Sequence, residues 1–203
     1  FKINCRLEVV PMEGWRRDMY FDQTGLTWIA PSPNMPTLAT AWVYPGQVFW
    51  EGTNVSEGRG TTQPFELFGA PFLDPQLIQA ALAPRPLAGL RLRPAAFEPL
   101  ADKWQGRLCQ GFQLHPGQRK DFQPFRTSLR LLQAILKHFP DQFRWAPPPY
   151  EYDFVNLPID LILGSGEIRR GIEEQVAIED LEAGWRPEIQ DYLEWRTPYL
   201  LYA

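Results

Sequence analysis

From Trp50 to Glu66 the sequence reads Trp-Glu-Gly-Thr-Asn-Val-Ser-Glu-Gly-Arg-Gly-Thr-Thr-Gln-Pro-Phe-Glu, rich in acids, glycine, hydroxyls and amides and poor in apolar periodicity. Such a segment offers no apolar stripe for a helix or a strand to bury, so it has to be carried as a loop on a scaffold supplied by the rest of the chain. Gly52, Gly58 and Gly60 allow close backbone approach and positive φ at low steric cost. With polar side chains converging between them, the composition favours recognition of a sugar or an anion.

The chain has 203 residues, 44% of them apolar, enough to bury a core of its own as one large or two small domains. A net charge of -4 with interspersed acids and bases supplies no basic stripe, which argues against a nucleic-acid partner. No run approaches the roughly 20 apolar residues of a membrane span. The start, Phe1-Lys2-Ile3-Asn4, has neither methionine nor the pattern of a signal peptide, and it reads as the middle of an element. A fragment of a longer protein is expected, and the missing leader then says nothing about compartment. Cys5 and Cys109 are too few for a disulfide scaffold, and His115 and His138 belong to no metal-ligand spacing, so no metal is expected.

Along the chain, Leu7–Val10 reads as a short strand and Trp15–Tyr20 as an amphipathic turn or helix. Pro31, Pro33 and Pro36 impose a rigid loop that presents Ser32 and Asn34. Thr37 caps a helix over Leu38–Tyr44 that Pro45-Gly46 ends, and Gln47–Trp50 reads as a buried strand feeding the glycine-rich loop. Strand, helix and strand make an α/β unit, whose ligands sit at strand ends. Further on, a helix is predicted over Asp74–Ala83, strands over Leu90–Arg93 and Leu108–His115, and a long helix over Pro124–Phe139 with Phe125, Leu129, Leu132, Leu136 and Phe139 on one stripe. In the second strand Leu108, Phe112 and Leu114 share one face while Cys109, Gly111, Gln113 and His115 share the other, which points His115 away from the apolar core. Pro147-Pro148-Pro149 opens a stiff connector, and Ile168–Glu194 reads as mostly helical.

Paired carboxylates can serve a glycosidase as acid and base or nucleophile, which makes Glu51 and Glu57 the candidates. Their alternative use is to accept backbone N–H bonds that hold the loop in shape. Arg59 can fork onto a ligand carboxylate or pair internally with Glu57 or Glu66. Asn34 and Asn54 suit sugar hydroxyls or an acetamido group, and equally suit turns. His115 is a lone histidine, ordinarily a hydrogen-bonded structural one. Trp15, Trp28, Trp42 and Trp50 can stack on a pyranose ring or simply fill the core. A phosphate-preferring regulatory domain built on Arg59 and loop amides is a further alternative.

Pro31-Ser32-Pro33-Asn34-Met35-Pro36-Thr37 and Glu51-Gly52-Thr53-Asn54-Val55-Ser56-Glu57-Gly58-Arg59-Gly60-Thr61, followed by Pro64-Phe65-Glu66 and Gly69-Ala70-Pro71, resemble the bacterial NamZ family of peptidoglycan exo-β-N-acetylmuramidases. The similarity continues through Gln113-Leu114-His115, Phe125-Arg126-Thr127 and Tyr199-Leu200-Leu201-Tyr202. The resemblance implies the C-terminal half of a glycoside hydrolase that releases N-acetylmuramic acid from the non-reducing end of peptidoglycan fragments. It implies an α/β fold, with the C-terminal remnant of a Rossmann-like domain over residues 1–50 and a mixed α/β domain over 51–203. It also implies an active site in the cleft between the domains, no cofactor, and a secreted or periplasmic location. The implied partners are a muropeptide or MurNAc-GlcNAc type saccharide and the N-terminal domain of the same parent chain, with the main catalytic acid in that domain. Glu57 is the catalytic candidate within this chain, and Ser32, Asn34, Glu51, Asn54, Arg59, Thr61 and His115 are the substrate-binding candidates, Arg59 for the lactyl carboxylate. The alternative is an amino-sugar or cell-wall binding module that never cleaves its ligand.

Overall fold

In this computed structural model, residues 4–202 are described. They form two compact units, Ile29–Gly184 and a smaller one made from residues 4–28 and 185–202. The larger unit holds a three-stranded antiparallel sheet of β1 (Leu67–Ala70), β2 (Leu90–Phe97) and β3 (Cys109–Pro116), in the order β1-β3-β2. Helices α1 (Leu38–Gln47), α2 (Pro75–Leu82), α3 (Pro124–His138), α4 (Pro158–Leu163) and α5 (Gly166–Glu173) accompany it, with the first turns of α6 (Ile178–Arg196). The α/β class expected from the residues is the class observed.

Register explains the two faces of the sheet. Phe68 stands opposite Phe112 and Leu92 opposite Leu114, so one face is apolar, and α1 and α2 lie against β3 while α3 packs on both helices. Phe68, Phe112, Leu114, Leu129, Leu132 and Ile135 form its core, each 2% exposed or less. The opposite face carries Arg91 across from His115 and Arg93 across from Gln113. This is the alternation read for Leu108–His115, and His115 is indeed exposed. Leu108, however, precedes the strand and is 57% exposed.

The local signals for helices mostly worked. Thr37 caps α1 by accepting from Thr40 N, and Asp74 caps α2 by accepting from Gln76 N at 2.8 Å. Pro124 opens α3 at a position where no N–H is needed, and Lys137 and His138 close it against the helix dipole.

Three local readings are corrected. Pro45-Gly46 does not stop α1, which continues to Gln47 and then tightens into a 3-10 turn over Val48–Gly52. A Cβ on Gly46 would collide with Pro124 O and Ser128 of α3, so this glycine serves a helix crossing and not a helix end. The predicted strand Gln47–Trp50 is therefore helical. Its side chains show why: Trp50 Nε1 donates to Gln47 Oε1 at 2.8 Å across one turn, and Gln47 Nε2 donates to Ser128 Oγ at 3.0 Å on α3. A short buried apolar run has no period that separates the two states. Finally, residues 4–20 hold no strand at Leu7–Val10, while Trp15–Tyr20, read as a turn or helix, forms a turn in which Met19 N donates to Arg16 O at 3.1 Å; the first helical element is a 3-10 turn, Phe21–Thr24. Leu7 and Val10 are 78% and 85% exposed, and a strand with no neighbour has nothing to satisfy its ladder. Without strands at Leu7–Val10 and Gln47–Trp50, the expected strand-helix-strand unit is not formed among the described residues.

The smaller unit is held by Trp15 edge-on to Tyr202 at 4.9 Å, by Met12 N donating to Tyr202 Oη at 2.6 Å, and by Phe21 against Trp28. No helix among the described residues is long and apolar enough to cross a membrane, and no group of three or more His, Cys, Asp or Glu gathers there in a way that holds a metal ion.

Candidate functional site

The glycine-rich loop is tied down by its own backbone. Ser56 exchanges two hydrogen bonds with Gly69 and so extends the sheet beside β1, at 2.8 and 2.9 Å. Phe65 N donates to Glu57 O at 2.6 Å, Leu100 N to Gly60 O at 2.9 Å, and Asn54 N to Arg144 O at 2.9 Å. Gly58 and Gly60 both have positive φ, and a side chain on Gly58 would meet Leu67 O at 2.8 Å while one on Gly60 would run into Ala101 N. Their conformational freedom lets the loop fold against its own scaffold.

Locking the loop aligns a ladder of alternating charge. Tyr150 Oη donates to Glu51 Oε2 at 2.7 Å, and Arg59 Nη2 donates to Glu51 Oε1 at 2.6 Å. Arg59 Nε lies 3.0 Å from Glu57 Oε1, and Lys103 Nζ lies 2.8 Å from Glu57 Oε2. Lys103 also donates to Trp50 O at 2.6 Å and Val55 O at 3.3 Å. Two carboxylates and two cations balance, which is what permits Glu57 to be only 2% exposed. The Arg59 guanidinium also sits 5.1 Å from the centre of the Phe65 ring. Burial alone would lower the Arg59 pKa, but the hydrogen bond and charge of Glu51, then Glu57 and Asp102, raise it above its ordinary value. Burial, then the bond to Glu51, pushes the Tyr150 phenol up, and burial with the charge of Glu51 does the same to Tyr44. Both phenols therefore remain donors at neutral pH.

Tyr150 has a second side. With Tyr44 it lines an open depression of about 910 Å³, completed by Tyr152, Phe154, Glu151 and Asp153 among others. Tyr152 and Phe154 stand out from it, 94% and 73% exposed. Aromatic faces beside carboxylates suit a ligand with apolar C–H faces and hydroxyl donors, which is the character of a pyranose.

The predicted residues divide by place. Glu51, Glu57 and Arg59 meet in the ladder. Arg59 has the internal pairing weighed for it, with Glu57 and also Glu51, while Glu66 instead accepts from Thr37 and Thr40 at the start of α1, both at 2.7 Å. Asn54 uses its whole amide on the segment that follows α3, donating to Gln142 O at 2.8 Å and accepting from Arg144 N at 3.0 Å. Thr61 closes a turn on Gly58 O at 2.6 Å. Ser32 receives Asn34 N at 3.4 Å in the proline-rich loop, with Ser32 exposed and Asn34 half-buried. His115 lies on the sheet, lining a different depression with Arg91 and Arg93. Trp50 is core, fully buried and stacked on Phe68 at 4.8 Å. Reading the sequence missed Tyr44, Lys103 and Tyr150. Lys103 and Tyr150 are 46 and 99 positions from their carboxylate partners, so no local pattern carries them.

The family model for the exo-beta-N-acetylmuramidase NamZ C-terminal domain matches residues 42–202, and that for the N-terminal domain matches residues 1–39. The chain belongs to the NamZ family. It is 38% identical over all 203 residues to the peptidoglycan beta-N-acetylmuramidase NamZ of Bacillus subtilis (strain 168), covering 100% of this chain and 47% of that protein. The chain thus spans about half the length of the curated NamZ relative it matches. Among solved structures, a DUF1343 family protein of Bacteroides fragilis NCTC 9343 superposes with a TM-score of 0.83 at 28% identity, over 98% of this chain and 51% of that one. A second DUF1343 protein of the same organism shares the fold, at a TM-score of 0.59 and 24% identity over 85% of this chain and 43% of that one.

Proposed function

We propose that this chain supplies part of the substrate cleft of a glycoside hydrolase that releases N-acetylmuramic acid from the non-reducing end of peptidoglycan fragments. The tyrosine-lined depression carries the proposal: Tyr44 and Tyr150 form a wall whose second member is locked from behind by Glu51. The wall takes an apolar face of the sugar of a MurNAc-GlcNAc type saccharide, and Glu151 and Asp153 accept from its hydroxyls. The ladder behind the wall keeps Tyr150 and the loop in place, so Glu57 and Arg59 serve as supports and do not move protons. The proton-donating carboxylate belongs to the N-terminal domain of the full-length enzyme, which acts in the cell envelope where its substrate lies.

The test is release of N-acetylmuramic acid from a chromogenic β-N-acetylmuraminide by the full-length protein that carries this chain, with Tyr150→Ala beside it. Turnover by the wild type and a raised KM in the variant are expected. Binding of the sugar without turnover would make the protein a cell-wall binding module. An unchanged KM in a folded Tyr150→Ala variant would remove the depression from the site.

A further inference from the structure

The polar face of the sheet holds a second cluster that the muramidase reading does not use. Arg91 and Arg93 are neighbours on that face of the edge strand β2, and Arg91 stands directly opposite His115 on β3. Residues paired in this way have Cβ atoms about 4.5–5.5 Å apart, and next-but-one neighbours on one strand about 7 Å. With Gly89, Gly117, Gln118 and Asp121 these side chains border an open depression of about 740 Å³. Asp121 is the only acid on its lining.

Arg16, Arg59, Arg85, Arg126 and Arg169 each have a carboxylate within salt-bridge distance. Among the described residues, Arg91 and Arg93, like Arg17, Arg130 and Arg144, have none, and unlike those three they stand together on one sheet face, although the chain carries a net charge of -4. Two guanidinium groups side by side on one strand face make that face locally positive. Arg93 is also held in one orientation: its Nε donates to Gln113 Oε1 at 3.2 Å, its Nη2 donates to the same oxygen, and Gln113 is itself only 7% exposed. One edge of the guanidinium is thereby fixed by a buried neutral amide, and its other donors remain for a ligand.

We propose that Arg91, Arg93 and His115 form a binding site for a small oxyanion, a carboxylate or phosphate group presented by a larger ligand. The two arginines supply charge-assisted, bidentate N–H donors and His115 a further ring donor, and the bound group supplies the charge that the sheet face lacks. The site is separate from the tyrosine-lined depression, with which it shares no lining residue.

Isothermal titration of the full chain tests it with three probes: inorganic phosphate, the dipeptide alanyl-glutamate, and neutral alanyl-glutamine as control. Saturable binding of phosphate, of alanyl-glutamate, or of both is expected, weakening at least tenfold in Arg91→Gln/Arg93→Gln and falling as salt is raised. Which of the two charged probes binds tells a phosphate source from a carboxylate one. Melting temperature is checked for each variant, and because both side chains are exposed the double variant should fold as the wild type does. A second variant, Arg91→Lys, keeps charge and loses the fork, and an intermediate affinity is expected. Equal binding of the neutral dipeptide, no saturable binding of either charged probe, or unchanged affinity in the folded double variant would overturn the proposal.

Discussion

Replacing Glu57 by glutamine keeps the side-chain shape and removes the one negative charge between Arg59 and Lys103. Glu57 is 2% exposed, and its two cations are 29% and 23% exposed. Losing one member of a buried pair costs about 3–5 kcal/mol, because the remaining charge is left without compensation. Two features reduce that figure. Arg59 keeps Glu51 Oε1 at 2.6 Å, Lys103 keeps Trp50 O at 2.6 Å, and both cations are open enough to be screened by water. The expected loss is about 2–3 kcal/mol, since partial exposure moves the pair toward the weaker surface limit. For a chain of this size that corresponds to a fall in Tm of roughly 4–12 °C. Scanning calorimetry of wild type, Glu57→Gln, Lys103→Met and the double variant measures it, and the two substitutions should couple by at least about 1 kcal/mol. A Tm within about 1 °C of wild type would refute the supporting role. If the same variant lost turnover by roughly 100-fold or more, proton transfer by Glu57 would be the better reading.

Gly111 sits at the centre of the sheet opposite Gly69 and Ala95, and a Cβ there would overlap Phe68 O. Gly111→Ala should cost about 3 kcal/mol, the upper end of ordinary overpacking, whereas Gly106→Ala, with positive φ but open space, should cost only about 1–2 kcal/mol; urea denaturation compares them. Burial pushes the Cys109 thiol up from an ordinary value of 9.0 to about 11. Its folded pKa is raised, so its contribution to stability is complete below about pH 9 and is lost as pH rises toward the folded value. At pH 8 a thiol reagent should therefore label exposed Cys5 at once and Cys109 only on unfolding; fast labelling of both in the native protein would contradict the burial.

Much of the scaffold was legible because its signals are local. The stripe from Phe125 to Phe139, the helical spacing over Asp74–Ala83 and the alternation in Leu90–Arg93 each report a surface that one element must bury, and α3, α2 and β2 formed accordingly. β1 left no comparable signal: four residues, all buried, with Ser56 covering the side away from β3, have neither alternation nor length. Gly46 was legible as a glycine but not as a contact, since its reason lies on another helix 78 positions away at Pro124.

For the site, the sequence by itself determined the family, the α/β class, and the closeness of Glu51, Glu57 and Arg59 along a glycine-rich polar stretch, of which residues 53–66 are loop and Glu51 lies in the 3-10 turn before it. Only the tertiary structure decided what those charges face. Lys103 and Tyr150 arrive from distant turns to balance the ladder, Asn54 is spent on the segment after α3, and His115 is carried by strand register to the arginines of β2 instead of to the loop. The physical reason is range: patterns of burial repeat within one element, whereas charge compensation in a desolvated site is satisfied by whichever groups the fold brings within hydrogen-bond distance.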